Sequence, residues 1–146
     1  MHDDDGRVTG AGWAALFARW VLGLMFGMAG YWKVFELGPT AHAQKLFVDG
    51  FASTWIPTAV LWATGLAIPF VELIAGAALC LGLRVRESAI ALGVVLVMVS
   101  YGHLLQEALY DTTHHIFPRL VLLLFVLMIP PVHDRWSIDG WLRGRR

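Results

Sequence analysis

Apolar residues fall into four long stretches along the chain, separated by short polar connections. The stretches are residues 13–35, 58–83, 88–110 and 116–132. The hydrocarbon core of a bilayer is about 30 Å thick, so a helix that crosses it needs about 20 mostly apolar residues. The pattern therefore predicts an all-α integral membrane protein in which residues 1–146 form a single domain, a four-helix bundle.

The basic residues between the stretches predict the orientation of this bundle. Four crossings put both termini on one side of the membrane, together with the charged turn at Arg84–Arg86. The arginines on that side are Arg7, Arg84, Arg86, Arg135, Arg143, Arg145 and Arg146. The other side has Lys45 in its connection, with Lys33 and Arg119 near helix ends. Because cytoplasmic loops carry an excess of lysine and arginine, both termini are predicted to be cytoplasmic.

Composition excludes several classes of function. Apolar residues make up 58% of the chain and charged residues 15%, and the formal net charge is zero. No nucleic-acid partner is expected, because binding one requires a basic footprint. The single cysteine, Cys80, excludes an internal disulfide and the paired cysteines of a thiol oxidoreductase. The sequence shows no flavin, haem or iron–sulfur motif, so electrons in any redox reaction would come from a partner protein.

Charged residues within the first two stretches need partners, because an isolated charge in the membrane is costly. At about 100° per residue, Arg19 and Lys33 share one helix face with the G-x-x-x-G pair Gly23 and Gly27. Depths measured from the midpoint of each stretch place Arg19 level with Glu72 in the second stretch. We therefore predict a buried Arg19–Glu72 ion pair, which either fixes the helix register or takes part in a reaction.

The outer half of the predicted bundle contains a second polar group of side chains. Its members are Lys33, His103, Glu107 and Arg119. A histidine beside a carboxylate on one helix face suits a proton relay, and an ordinary interhelical hydrogen bond is the alternative. Lys33 and Arg119 either join this cluster or extend to the lipid headgroups. No metal site is assigned; as an alternative, His103 and Glu107 join His114 and His115 of the adjacent turn as ligands.

Three groups of residues follow one another along the chain. The first stretch has Arg19, Gly23-Leu24, Ala29-Gly30 and Lys33; the second has Val71-Glu72-Leu73, Gly76, Leu81-Gly82-Leu83 and then Arg86; the third has His103. In this order they resemble the DoxX family of bacterial and archaeal four-span membrane proteins, over about Arg19 to Pro130. The turn at Asp111–His115 is not a feature of that family's pattern.

The resemblance implies a multi-pass protein of the bacterial or archaeal cytoplasmic membrane. The best-described family members are membrane subunits of a thiosulfate:quinone oxidoreductase, so the resemblance implies a partner subunit and contact with quinone. Our first hypothesis is a redox-complex subunit that helps to bind quinone or quinol at the outer cluster. The alternative is a non-catalytic scaffold or assembly factor for a partner protein, and a transporter is a third. Contact with lipid is expected in each case, and a homo-oligomer is left open.

Overall fold

The computed structural model describes residues 3–109, 113–130, 133–134 and 136–143, and the described part is helical with no β-strand. The α-helices are α1 (Asp3–Tyr31), α2 (Pro39–His42), α3 (Thr58–Leu81), α4 (Val85–Gln106), α5 (Phe117–Met128) and α6 (Ile138–Arg143). Two π-helical segments, Trp32–Glu36 and Ala43–Val48, continue α1 and α2. The prediction of an all-α membrane helical bundle is confirmed at this level.

Three helices are long and apolar enough to cross a membrane: Gly10–Glu36, Thr58–Leu81 and Val85–Gln106. The fourth apolar helix, α5, has 12 residues and is about 18 Å long at 1.5 Å per residue, less than the bilayer core. It is shorter than the predicted stretch 116–132, because it ends before Pro130. Residues 110 and 131–132 of the predicted stretches lie outside the described residues.

The four apolar helices pack as a ring in the order α1, α3, α4, α5. Apolar side chains from all four helices, and from the residue before α5, meet in one core: Ala18, Leu22, Phe26, Ala75, Leu79, Ala89, Leu92, Leu96, Ile116, Leu123 and Val126. The many large apolar side chains on the outer surface, among them Ile74 and Val97, suit contact with lipid.

The packing of α1 against α3 is the closest in the bundle, because glycines line both sides of the contact. A methyl group at Gly76 would lie 2.5 Å from the backbone nitrogen of Gly27. A methyl group at Gly30 would collide with the backbone of Leu73. Small residues at these positions let the two backbones touch, as in other membrane helix pairs. This glycine seam fixes how far each helix slides along the other.

The connection between α1 and α3 covers one end of the bundle. Ala43 is fully buried and lies against Gly65 of α3, and Phe51 lies against Gly102 of α4. The Nε2 group of Gln106 donates a hydrogen bond to the carbonyl of Gly50 at 3.0 Å. The structure has short helices here, and their apolar residues pack against the bundle.

The opposite end of the bundle, here called the arginine-rich end, is closed by residues 133–134 and 136–143, here called the C-terminal segment. The Trp136 ring lies 5.3 Å from the ring of Trp13 in α1. Both carboxylate oxygens of Asp139 accept hydrogen bonds at the start of α4, from the backbone N–H groups of Arg84 (3.0 Å) and Val85 (2.9 Å). Asp139 thereby satisfies two N–H groups that a helix N-terminus leaves without partners. The start of α4, part of α1 and the C-terminal segment therefore meet at one end.

Candidate functional site

The Arg19 site lies at the arginine-rich end, inside the bundle. The Arg19 side chain is 1% exposed, and its Nε atom lies 3.2 Å from the carboxylate of Asp134. Nη1 donates to the carbonyls of Leu79 (2.6 Å) and Cys80 (3.3 Å), and Nη2 donates to the carbonyl of Trp136 (2.9 Å). One guanidinium thus connects α1, the end of α3 and the C-terminal segment. Such an arrangement of acceptors is typical of a structural cation.

The predicted Arg19–Glu72 ion pair is wrong. The prediction derived depth from the midpoint of each apolar stretch, whereas contacts between small residues set the actual register. Gly30 faces Leu73 across the seam, so Glu72 lies near the far end of α1. That position is 11 residues from Arg19, roughly 16 Å along the helix axis. Glu72 pairs with Lys33 instead.

The Lys33 site is the second ionic site and lies between α3 and the π-helical segment that continues α1. The Nζ atom of Lys33 donates a hydrogen bond to Oε2 of Glu72 at 2.5 Å. The Glu72 side chain is 6% exposed and the Lys33 side chain is 19% exposed. Lys33 is therefore the more accessible member of the pair.

Arg119, in the first turn of α5, brings a second positive charge near Glu72. Its guanidinium carbon lies 5.3 Å from the centre of the Phe26 ring, within the range of a cation–π contact. Its Nε atom is buried and has no hydrogen-bond partner among the described residues. A buried donor of this kind costs roughly 1–3 kcal/mol when it is left unsatisfied. The Lys33 site therefore holds an ion pair and one donor available to an acceptor from a ligand.

His42 lies next to this site and explains a feature of α3. Pro69 has no N–H group to donate to the carbonyl of Gly65, which an ordinary helix would use. The Nδ1 atom of His42 lies 2.7 Å from that carbonyl oxygen. Because a carbonyl only accepts, Nδ1 carries the hydrogen and donates it. Burial lowers the pKa of His42; this hydrogen bond opposes the shift, and the positive charge of Lys33 adds to it.

The predicted outer cluster is brought together only in part. Lys33 and Arg119 both lie near Glu72, whereas His103 is at the last turn of α4, within electrostatic range of His115. Glu107 is exposed at the C-cap of α4. The reason is that α4 ends at Gln106 and leaves Glu107 beyond the helical face that the spacing assumed. The described residues, which include His103, Glu107, His114 and His115, contain no group of three or more potential metal ligands.

An open apolar groove of about 350 Å³ lies between α1 and α5, and α5 carries Arg119 in its first turn. Its walls are Phe17, Ala18 and Val21 on one side and Val121, Leu122 and Phe125 on the other. The groove begins two residues after Arg119 along α5. An apolar chain in this groove would have a cation close to one end.

Sequence reasoning missed three residues that organise the two sites: His42, Asp134 and Asp139. Pro69 supplied a signal for His42, since the Gly65 carbonyl that it frees requires a donor. No comparable signal marked Asp134 or Asp139, because both lie in a polar tail that looks unstructured in sequence.

Comparison with known proteins matches the chain to a family. The model of the family described as DoxX matches residues 14–103, more than half of the chain. This range includes α3 with Glu72, most of α4, and α1 from its residue 14 onward. No curated protein matches the chain, and no solved structure matches it.

Proposed function

The chain belongs to the DoxX family, and we propose that it is the membrane subunit of a quinone-linked oxidoreductase, with the quinone headgroup at the Lys33 site. The family assignment and the three membrane-length helices support an integral membrane protein. The redox role is our proposal. It changes the site expected from sequence, since Glu72 takes the place of His103 and Glu107.

The observation that carries the proposal is the buried Nε of Arg119, which has no partner among the described residues and lies near a charged pair. A quinone headgroup has carbonyl oxygens that accept hydrogen bonds and no donor of its own in the oxidised form. Arg119 can donate to one carbonyl, and Lys33 can donate from the partly open side. The positive charge of both groups favours negative charge that develops on the headgroup during reduction.

The surroundings of the Lys33 site include a group that can pass protons and an apolar groove that can hold an isoprenoid tail. Reduction of a quinone takes up two electrons and two protons. Glu72 shares a proton-bearing hydrogen bond with Lys33 and is positioned to pass protons to the site. The apolar groove between α1 and α5 is suited to the tail. The two electrons would come from a partner subunit that carries the redox cofactor.

We further propose a four-crossing topology with both termini in the cytoplasm and a location in a bacterial or archaeal cytoplasmic membrane. The arginine-rich end gathers Arg84, Arg86 and the C-terminal segment, and this charge favours the cytoplasmic side. The short helix α5 would complete the fourth crossing together with the turn at residues 113–116 before it. Cysteine-labelling accessibility at each connection in intact cells tests this topology.

The experiment for the redox role measures binding of ubiquinone-1 by quenching of tryptophan fluorescence, with the full chain in lipid nanodiscs. We expect Arg119→Gln to weaken binding at least tenfold and Arg119→Lys to weaken it less. Lys45→Gln, which changes an exposed cation in the α1–α3 connection, is the matched control and should bind as wild type does. Unchanged affinity in Arg119→Gln with an unchanged unfolding temperature would contradict the proposal.

The scaffold alternative makes a different prediction for the complex isolated with its partner. A scaffold variant would lower the amount of partner without changing turnover per assembled complex. Under our proposal, Glu72→Gln lowers quinone-linked turnover at constant partner abundance. Measuring both quantities on the same preparation separates the two functions.

A further inference from the structure

A second cavity, of about 450 Å³, lies at the arginine-rich end, apart from the Lys33 site. Apolar side chains of α1, α5 and α6 form much of its wall, among them Ala15, Val126 and Leu142. Arg19 and Asp134 line its polar part. The cavity therefore has an apolar side and a polar side, which is the arrangement that an amphiphilic ligand requires.

Two buried polar atoms at this cavity have unused hydrogen-bonding capacity. Nε of Arg19 is close to Asp134, but the contact does not have hydrogen-bond geometry. Oδ1 of Asp134 is buried and has no hydrogen-bond partner among the described residues. Arg19 is 1% exposed and Asp134 is 7% exposed, so bulk solvent reaches neither residue freely. Leaving such groups unsatisfied is costly, and a ligand that offers a donor to Asp134 relieves the cost.

Two arginines also line the cavity. Arg84 and Arg86 line it and are both exposed, together with Glu87. Asp139 also lines it, but its two oxygens are engaged with the backbone of α4. The two arginines are thus available to an anion, and guanidinium groups match the oxygens of a phosphate.

From these features we infer that the cavity binds a phosphate ester that carries a hydrogen-bond donor, specifically the headgroup of a membrane glycerophospholipid. Arg84 and Arg86 contact the phosphate, and Asp134 Oδ1 accepts from the ammonium or hydroxyl group of the headgroup. The apolar wall covers the glycerol and the first carbons of the acyl chains. This inference concerns a different site from the quinone proposal and does not depend on it.

A lipid suits this cavity better than a soluble phosphate ester for two reasons. The wall is largely apolar, which favours a ligand with hydrocarbon attached to the phosphate. The neighbouring side chains Trp136 and Trp141 are exposed, and tryptophan at such a position is typical of the membrane interface. A headgroup at the interface would reach the cavity without leaving the membrane.

The test uses the full chain, purified in detergent and delipidated, with binding measured by isothermal titration calorimetry. The probes are short-chain phosphatidylethanolamine, phosphatidylglycerol and phosphatidylcholine, and glycerol 3-phosphate. Phosphatidylcholine has the phosphate but no donor in its headgroup. We expect the first two lipids to bind at least tenfold more tightly than phosphatidylcholine. Arg84→Asn combined with Arg86→Gln should remove this binding, whereas Lys45→Gln in the α1–α3 connection should not alter it.

The outcomes separate the two sources of phosphate and decide the inference. Binding of the two donor-bearing lipids without binding of glycerol 3-phosphate identifies a lipid site. Arginine-dependent binding of glycerol 3-phosphate identifies the same chemistry in a soluble ligand. Equal affinity for phosphatidylcholine, or wild-type affinity in the double variant, overturns the inference. If the double variant does not fold, Arg86→Gln alone replaces it, since this side chain is exposed in the first turn of α4.

Discussion

Arg19 and Lys33 are both cations that contact α3 and pair with a carboxylate, but the two sites stabilise the positive charge by different means. The Arg19 guanidinium donates hydrogen bonds to three backbone carbonyls and also pairs with a carboxylate. Lys33 is hydrogen-bonded to a single carboxylate oxygen of Glu72. Arg19 is almost fully enclosed, whereas the Lys33 side chain keeps 19% of its surface exposed.

The difference follows from where each cation meets α3. Arg19 reaches the last turn of α3, where helix carbonyls have no partner within the helix and are available as acceptors. Lys33 meets α3 at Glu72, in the helix interior, where the backbone carbonyls are already hydrogen-bonded. Only a side-chain carboxylate is left there as an acceptor. Arg19, at a helix end, is thus fixed by several acceptors at once. Lys33, at mid-helix, has one acceptor and can exchange it for another.

Replacing Arg19 should produce the largest effect, because it removes the enclosed cation. Arg19→Met leaves Asp134 buried without its charge partner and removes the guanidinium hydrogen bonds to three carbonyls. We expect a loss of about 3 to 5 kcal/mol in the free energy of unfolding. The measurement is unfolding of the purified chain in detergent, followed by circular dichroism.

A double variant sharpens this test. Arg19→Met with Asp134→Leu removes both charges, so it should be less destabilised than the sum of the single variants. Strict additivity would show that the ion pair contributes little to the enclosed site.

Gly76→Ala should have the next largest effect and act on both sites together. The added methyl group would meet the backbone of Gly27 and force α1 and α3 apart, at a cost of about 3 kcal/mol. Gly93→Ala is the matched control in α4, where the methyl group would meet only Leu123 side-chain atoms at 3.5 Å or more. Equal stability of the two variants in thermal unfolding would show that the glycine seam does not set the register.

Glu72→Gln should lower the free energy of unfolding by about 1 kcal/mol, less than Arg19→Met or Gly76→Ala. The amide oxygen of glutamine still accepts from Lys33, and only the charge is lost. Glu87→Gln, at an exposed acid in the first turn of α4, is the control in the same unfolding assay. A loss of unfolding free energy as large as that of Arg19→Met would show that the Lys33 site is as important for the fold as the Arg19 site, and would contradict the comparison.

The smallest effect concerns His42 and pH. Its pKa is lowered in the folded protein, so below its ordinary value of 6.5 the unfolded chain binds the proton first. The contribution of neutral His42 to the free energy of unfolding is therefore fully present above about pH 6.5, and it is lost as the pH falls through the lowered pKa. His42→Asn keeps a donor for the Gly65 carbonyl but does not titrate. The unfolding temperature of this variant should depend less on pH between 5 and 7.5 than that of wild type; identical profiles would contradict the assignment.

The helical bundle could be predicted from sequence because the signal for it is long and repeated. Apolar stretches of about 20 residues leave few alternatives to a membrane helix. The glycine pair Gly23 and Gly27 also marked the helix face that packs closely. The length of α5 was not predictable in the same way, since apolar residues flank its N-terminus at Ile116 and its C-terminus at Ile129.

The partners of the charged residues were not predictable, because ion pairing depends on helix register. A different register between α1 and α3 changes the partner of Glu72 from Arg19 to Lys33. The pairing of Asp134 with Arg19 could not be predicted for another reason. The segment that contains Asp134 folds back against the end of the bundle, and no periodic pattern in the sequence indicates this contact.

The ties made by Asp134 and Asp139 have a consequence for how the protein is synthesised. The carboxylate partner of Arg19 is more than 110 residues further along the chain, so it leaves the ribosome after all four apolar helices. The start of α4 likewise receives its cap from Asp139, which is 55 residues downstream of Arg84. Groups of the first and third long helices therefore gain these partners only after Asp134 and Asp139 have been synthesised.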